Sequence, residues 1–174
     1  MSQVKAQVAS ETAGRQARLE ELYERNAPSA LRTAYFLTGD PDLAEDLVQE
    51  AFVRVAGRFG HLRTPDAFPA YLRRTIVNLS KNHFRRRAVE RSYLAHEAGR
   101  ATEGRSDPDV SAYETMRSAL LSLPIRQRAA IVFRYYEDLP EAQIADILGC
   151  RPATVRSLVS RGLETLRRNP EVMA

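Results

Sequence analysis

The chain has 174 residues, a formal net charge of +4 and a pI near 9.5, a balance that favours an anionic partner without proving one. Its 44% of apolar residues suffices for a core, and its length allows one ordinary domain or two small ones. The single cysteine, Cys150, excludes an intrachain disulfide and a cysteine-based metal site, and reads as a small filler in a turn. No apolar run nears the ~20 residues that span a bilayer. The stretch MSQVKAQVASETAGRQ lacks the apolar core of a secretion signal. A cytoplasmic protein with no membrane partner is therefore expected. Nearly every apolar pattern has helical rather than alternating spacing, which predicts an all-α fold.

Residues 1–17 are polar and weakly patterned and read as a mobile N-terminal extension. A helical stripe begins after Arg18 with Leu19, Leu22, Tyr23 and Ala27. Pro28 is expected to interrupt it, with Asn26 and Ala27 closing one helix and Pro28 opening the next. Ala30, Leu31, Ala34, Tyr35 and Leu37 continue the buried side. Thr38-Gly39-Asp40-Pro41 then reads as a stop and a start: Gly39 past the helix end, Asp40 as N-cap, Pro41 at the first helical position. From Pro41 to about Phe59, residues Leu43, Ala44, Leu47, Val48, Ala51, Phe52, Val55 and Phe59 form a broad apolar band. Glu45, Asp46, Gln49, Glu50, Arg54 and Arg58 project elsewhere, acids first and arginines second, as the helix dipole favours. Any one of these polar residues could be ordinary solvated surface.

Gly60 to Asp66 reads as a loop, with Thr64 or Asp66 capping a helix from Ala67 to about Arg87. Phe68, Leu72, Ile76 and Leu79 make its apolar face. Arg74, Asn78, Lys81 and Arg85 fall about 200° away at ~3.6 residues per turn. Arg73, Arg86 and Arg87 extend this basic ridge, with Tyr71 and His83 at its margins. Cationic, amide and aromatic groups together suit phosphates and unstacked bases, although a solvated basic face has the same composition. His83 has no second ligand near it in sequence, so no metal is expected there. Residues 88–111, AVERSYLAHEAGRATEGRSDPDVS, lose the apolar stripe and carry more acids than Lys and Arg. They read as a flexible linker between a domain at 18–87 and a second at 112–174.

In the second domain, Tyr113, Met116, Leu120 and Leu123 predict a helix that stops at Pro124. Ile125, Ala129, Val132, Phe133 and Tyr136 predict another. Leu139 to Leu166 then reads as two helices around a tight turn. Pro140 opens the first, whose apolar side is Ala142, Ile144, Ala145, Ile147 and Leu148. Gly149 suits the turn because glycine reaches positive φ without a Cβ clash. Pro152 opens the second helix, where Val155, Leu158, Val159, Gly162 and Leu166 recur at helical spacing. The order Ala145, Gly149, Val155, Leu158 is that of a helix-turn-helix. It leaves Thr154, Arg156, Ser157, Ser160 and Arg161 on the outer side of the second helix, a set a major groove accepts. Arg167, Arg168 and Pro170 close the chain.

The blocks GDPDLAEDLVQEAFVRV, YLRRTIVNLSKNHFRR, LPIRQRAAIVFRYYEDL and QIADILGCRPATVRSLVSRGLETLR occur in that order, with the linker between the second and third. Together they resemble a group IV (extracytoplasmic-function, ECF) sigma factor of bacterial RNA polymerase, in phrasing closest to the actinobacterial SigE-family subgroup. The likeness runs from about Leu19 to Arg168. It implies that the first domain is a region 2, whose DLVQEAF helix meets the β′ clamp helices through Asp46, Gln49, Glu50 and Arg54. The loop from His61 to Ala67 and the following helix would melt and read the −10 element, with Tyr71, Arg74, Asn78, Lys81 and Arg85 as contacts. The second domain would be a region 4, binding the −35 element through Thr154, Arg156, Ser157, Ser160 and Arg161, and binding the β flap. The linker would thread the RNA exit channel. Tyr71 stands where the family often has Trp, and His83 where it often has Asp. Leu139 replaces a common Ser or Thr cap, a change worth about 1 kcal/mol.

The resemblance implies core RNA polymerase and promoter DNA as partners, with an anti-sigma protein as a further candidate. It implies no cofactor and no catalytic residue of the chain's own. Two modules on one tether would raise each other's effective concentration on a promoter, and a base flipped from the stack would be repaid by pocket contacts. Three other readings compete. A sigma-like mimic that only sequesters an anti-sigma protein would need no base-reading residues, yet Asn78, Lys81, Arg156 and Arg161 are present. A dimeric helix-turn-helix repressor would not need the first domain. An enzyme would need a nucleophile with a base or a phosphate-cradling loop, and His61, His83 and His96 are scattered.

Overall fold

Every regular element is helical among residues 2–58, 65–97 and 112–168, which the computed structural model describes. Helix α1 spans Ser2–Thr38 and α2 Pro41–Gly57; a 3₁₀ turn at Pro65–Ala67 leads into α3, Phe68–Glu97. Then come α4 (Ala112–Ser122), α5 (Ile125–Ile131) with a π-helical turn at Val132–Tyr136, α6 (Glu141–Leu148) and α7 (Pro152–Arg167). Phe59, the expected loop up to Thr64, the linker from residue 98 to 111, and Pro170 lie outside the described residues.

The stop and start between α1 and α2 forms as expected. Gly39 has φ +72°, the Asp40 carboxylate accepts the Leu43 N–H at 3.1 Å, and Pro41 takes the first helical position. Pro28 does not end a helix; it lies inside α1. Proline removes one hydrogen bond, to the carbonyl four residues back. Pro28 and Glu24 are both exposed, so water can satisfy that carbonyl. Meanwhile Ala27, Ala30, Ala34 and Leu37 keep one buried stripe across the proline. Tertiary packing thus outweighs the local penalty. Helix α1 also continues back through residues 2–17, which contain many good helix formers and no proline. At the other end, α3 runs about ten residues beyond its expected close and takes in the start of the expected linker. Residues 85–91 there are exposed, so intrinsic propensity rather than packing extends it.

The first core forms where α1, α2 and α3 meet, with Leu37, Val48, Phe68, Leu72 and Ile76 almost fully enclosed. The Tyr23 and Phe52 rings meet edge to face at 4.7 Å, and Phe52 lies 5.7 Å from Phe68. Helix α3 carries a second buried row that the sequence reading did not separate from its polar side: Val77 and Ser80, flanked by Arg73 and Phe84. This row faces the C-terminal half. The same apolar cluster runs on through Ala129, Phe133, Ile144, Ala145, Ile147 and Val155. A smaller cluster of Ala119, Leu120, Leu123, Ile131 and Leu166 is covered by Phe36 of α1. Met116, expected inward, is half-exposed because α4 buries only its last turns. Ala142, expected on the apolar side of α6, is exposed.

Polar ties pin this seam. Arg128 of α5 is buried; its Nη1 donates to the Leu37 carbonyl, and its Nη2 to Leu121 O at 2.8 Å and Leu123 O at 2.9 Å. These oxygens end α1 and α4, where carbonyls lack intrahelical partners and the dipole is negative. One guanidinium therefore caps two helices from opposite halves. Burial lowers its pKa to about 10, so it stays charged at neutral pH. The Phe84 ring lies 5.4 Å from its central carbon. Glu137, whose side chain is only 5% exposed, accepts Arg73 Nε at 2.5 Å through one oxygen and the Thr33 hydroxyl through the other. Arg117 Nη1 donates to Gly39 O at 2.9 Å, and a Cβ on Gly39 would collide with Leu121.

Replacing Arg128 with Met keeps most of the volume and strands the carbonyls. Stability should fall by about 3 kcal/mol, read as a lower urea midpoint at unchanged m-value. An unchanged midpoint would mean that the capping does not hold the two halves.

Candidate nucleic-acid and partner interfaces

Helix α7 is positioned by its apolar side. Val155 is fully buried, Leu166 nearly so, and Gly162 lets the helix approach α5, since a Cβ there would lie 2.6 Å from Ile131 Cδ1. The turn before it ends α6 in a left-handed residue, Gly149 at φ +60°, with Cys150 N–H bonded to Ala145 O at 2.9 Å. Pro140 serves as the N-cap of α6 rather than its first residue, and no side chain caps that end. Thr154, Arg156, Ser157, Ser160 and Arg161 are all exposed, on one outer face. Ser157 returns its hydroxyl to Ala153 O at 3.1 Å, whereas Arg156 Nη1 donates to Glu141 Oε2 at 2.8 Å.

Three further residues border this face: Arg134, Tyr135 and Arg167 line a cleft of about 320 Å³ with Glu141, Arg156 and Ser160. The sequence reading missed Arg134 and Tyr135. Gln127 and Ile131 of α5 meet Gly162 of α7, so residues three and four further on continue along the side that faces α7, and in the π-helical turn three successive side chains, Arg134, Tyr135 and Tyr136, stand outside. Tyr136, expected in the core, is half-exposed and rests edge-on against Phe36, 4.5 Å between ring centroids.

On α3, Tyr71, Arg74, Asn78, Lys81 and Arg85 are exposed and form a continuous stripe. Arg86 and Arg87 are exposed beyond it. Arg73 does not extend this ridge: its charge is spent on the buried Glu137. His83 also leaves the ridge, half-buried with its ring edge-on to Phe84 at 5.7 Å. Between α3 and the end of α2, a cleft of about 540 Å³ is lined by Arg54, Arg58, Tyr71, Thr75 and Asn78. Arg54, expected on the polymerase-facing side, thus also borders the α3 stripe. The helix-turn-helix turn lies close by, as a Cβ on Gly149 would sit 3.7 Å from Arg74 Nη2.

On α2, Asp46, Gln49, Glu50 and Arg54 are exposed, and Glu50 pairs with Arg54 at 2.5 Å. Val53, 73% exposed, stands among them. Beside it, Gln49, Phe52, Val53 and Ala56 face Leu19 and Tyr23 of α1 across a largely apolar groove. No group of three His, Cys, Asp or Glu side chains among the described residues could hold a metal ion. No described helix is long and apolar enough to cross a membrane.

Residues 22–89 match the sigma-70 region 2 family and residues 113–166 the sigma-70 region 4 family. Over 152 residues the chain is 30% identical to the RNA polymerase sigma-E factor of Streptomyces avermitilis, covering 87% of this chain and 84% of that one. It is 33% identical over 154 residues to the ECF RNA polymerase sigma factor SigE of Mycolicibacterium smegmatis, covering 85% of this chain but 60% of that longer protein. It is 30% identical to the ECF RNA polymerase sigma factor SigW of Bacillus subtilis, over 77% of this chain and 79% of the relative. The fold is shared with the sigma factor RpoE solved in complex with the anti-sigma factor NepR from Bartonella quintana, at a TM-score of 0.64 and 21% identity, over 85% of this chain and 93% of that one. With both sigma regions present in order, a helix-turn-helix in the second and relatives of this kind along most of its length, the chain belongs to the ECF sigma factors of RNA polymerase.

Proposed function

We propose that the chain binds core RNA polymerase, chiefly through α2, and directs it to promoters, with α3 reading the −10 element and α7 the −35 element. One observation carries this reading. Each of the three expected contact sets is exposed as an unbroken stripe on a helix whose opposite side is core. Asp46, Gln49 and Glu50 offer the β′ clamp helices acceptors and an amide around the protruding Val53. Tyr71, Asn78 and Lys81, with Arg54 and Arg58 across the cleft, offer an unstacked base a ring, an amide and cations. Arg156 and Arg161 offer bidentate donors to guanine edges, with Thr154, Ser157 and Ser160 as hydroxyl partners. The exposure of these groups argues against a mimic that reads no DNA. Polymerase supplies the chemistry, and the cytoplasm is where the two would meet.

The closeness of Gly149 to Arg74 adds a condition. Boxes about 25 base pairs apart lie roughly 85 Å from each other at ~3.4 Å per pair. The two DNA faces cannot reach both boxes while they abut. Residues 98–111, between α3 and α4, cover roughly 50 Å when fully extended, so the two halves part across this segment when the promoter is engaged. A protein regulator of the anti-sigma kind, as in the solved complex of the similar sigma factor, would act by favouring one arrangement over the other.

Arg156→Ala and Arg161→Ala should each lower run-off transcription from promoters that need the upstream box by roughly tenfold, the weight of one bidentate base contact. Both variants should bind core polymerase as the parent does. Normal transcription by both would sink the assignment of α7. Asp46→Ala with Gln49→Ala should weaken association with core polymerase in a titration of fluorescently labelled chain, while the helical circular dichroism signal stays unchanged. Undiminished association would remove α2 from the polymerase interface.

A further inference from the structure

We infer that Glu141 is a positioning residue for promoter reading: its carboxylate holds Arg156 for a base edge and keeps it off the phosphate backbone. This rests on the assignment of α7 to the upstream box. In the cleft between the π-helical turn and α7, Glu141 is the one acid among the described lining residues, beside three arginines, Arg134, Arg156 and Arg167. Among the described residues it bonds Arg156 alone, at 2.8 Å, from the first turn of the neighbouring helix. The pair spans the helix-turn-helix rather than one helix face, so it fixes Arg156 relative to both helices.

A free arginine on a helix facing DNA meets phosphates first, because they carry the charge and demand little geometry. Phosphate contact gives affinity without sequence information. Glu141 alters that competition in two ways. It satisfies one donor of Arg156 and biases the long, mostly exposed side chain toward one direction. The guanidinium keeps four other N–H groups, enough for a bidentate bond to guanine O6 and N7. The carboxylate also stands where an approaching phosphate would meet like charge. Arg134 and Arg167, with no carboxylate bonded to them among the described residues, are the backbone clamps of the same cleft. Glu141 thus divides labour among three identical side chains.

The test uses holoenzyme reconstituted from the full chain and core polymerase. Two duplex probes are bound across a salt series: a library randomised over the upstream box, and a random-sequence duplex without a promoter. For Glu141→Gln, which keeps the shape and removes the charge, binding to the random duplex should tighten. Its log–log salt slope should steepen by about one, the signature of one more phosphate contact. Preference for guanine at one position of the upstream box should fall roughly tenfold, and Glu141→Asp should restore part of it. Arg134→Ala should weaken both probes equally and make the slope shallower by about one. Arg156→Ala identifies which reading fails. If it leaves the base preferences intact, the assignment of α7 falls, and this inference with it. If it abolishes the guanine preference while Glu141→Gln changes neither slope nor preference, the role of Glu141 alone is overturned. A lower melting temperature in Glu141→Gln with unchanged salt slope would likewise leave Glu141 as only a helix-terminal acid.

Discussion

The arrangement of the two halves depends on what becomes of the carbonyl ends of α1 and α4. Both helices stop against the seam, where water is scarce and unpaired oxygens are expensive. Arg128 answers both at once, because a guanidinium is planar and carries donors on several edges. Lysine has a comparable charge but no rigid fork with which to serve oxygens from two helices. The solution carries its own penalty, since the cation is buried deeply enough for its pKa to drop to about 10. The helix dipoles, the three carbonyls and the face of Phe84 offset that penalty.

Around that cap, α3 works as a shared wall. One row of its side chains closes the core with α1 and α2, an adjacent row closes the seam, and the remaining side is the basic stripe. A helix divided three ways has a weak overall amphipathic signal, because buried residues occupy two rows and the polar side is narrow. The same division explains why Arg73 and Arg74, neighbours in sequence, have unrelated fates. One neutralises a buried carboxylate and the other meets solvent beside the helix-turn-helix turn.

Features that depend on a few adjacent residues were legible in the sequence. Gly39-Asp40-Pro41 specifies its turn and cap through backbone sterics and one side-chain bond, and Gly149 its left-handed turn. The exposed faces of α2, α3 and α7 followed from helical period alone. What could not be read depended on distant partners. Pro28 stays inside α1 because buried alanines on either side of it pack on other helices. Phe84 and Val77 are inward only because a second half lies over them. Arg134 and Tyr135 continue the side of α5 that Ile131 turns to α7, but no local pattern says which side of α5 that helix covers. Contacts such as Thr33 with Glu137 join residues far apart in the chain, and no local pattern announces them.

The composition of the seam also has a thermal consequence. Its area is mostly aliphatic and aromatic, from Val77, Phe133, Ile144, Ala145 and Ile147, and its charges are few and fixed. Wetting such a surface raises the heat capacity, so the free energy of separation follows a curved course with temperature and passes through a maximum. Burial of this kind weakens in the cold while the ion pair changes little. The seam is therefore weakest toward both extremes of temperature, and its opening is marked by a rise in heat capacity without loss of helix.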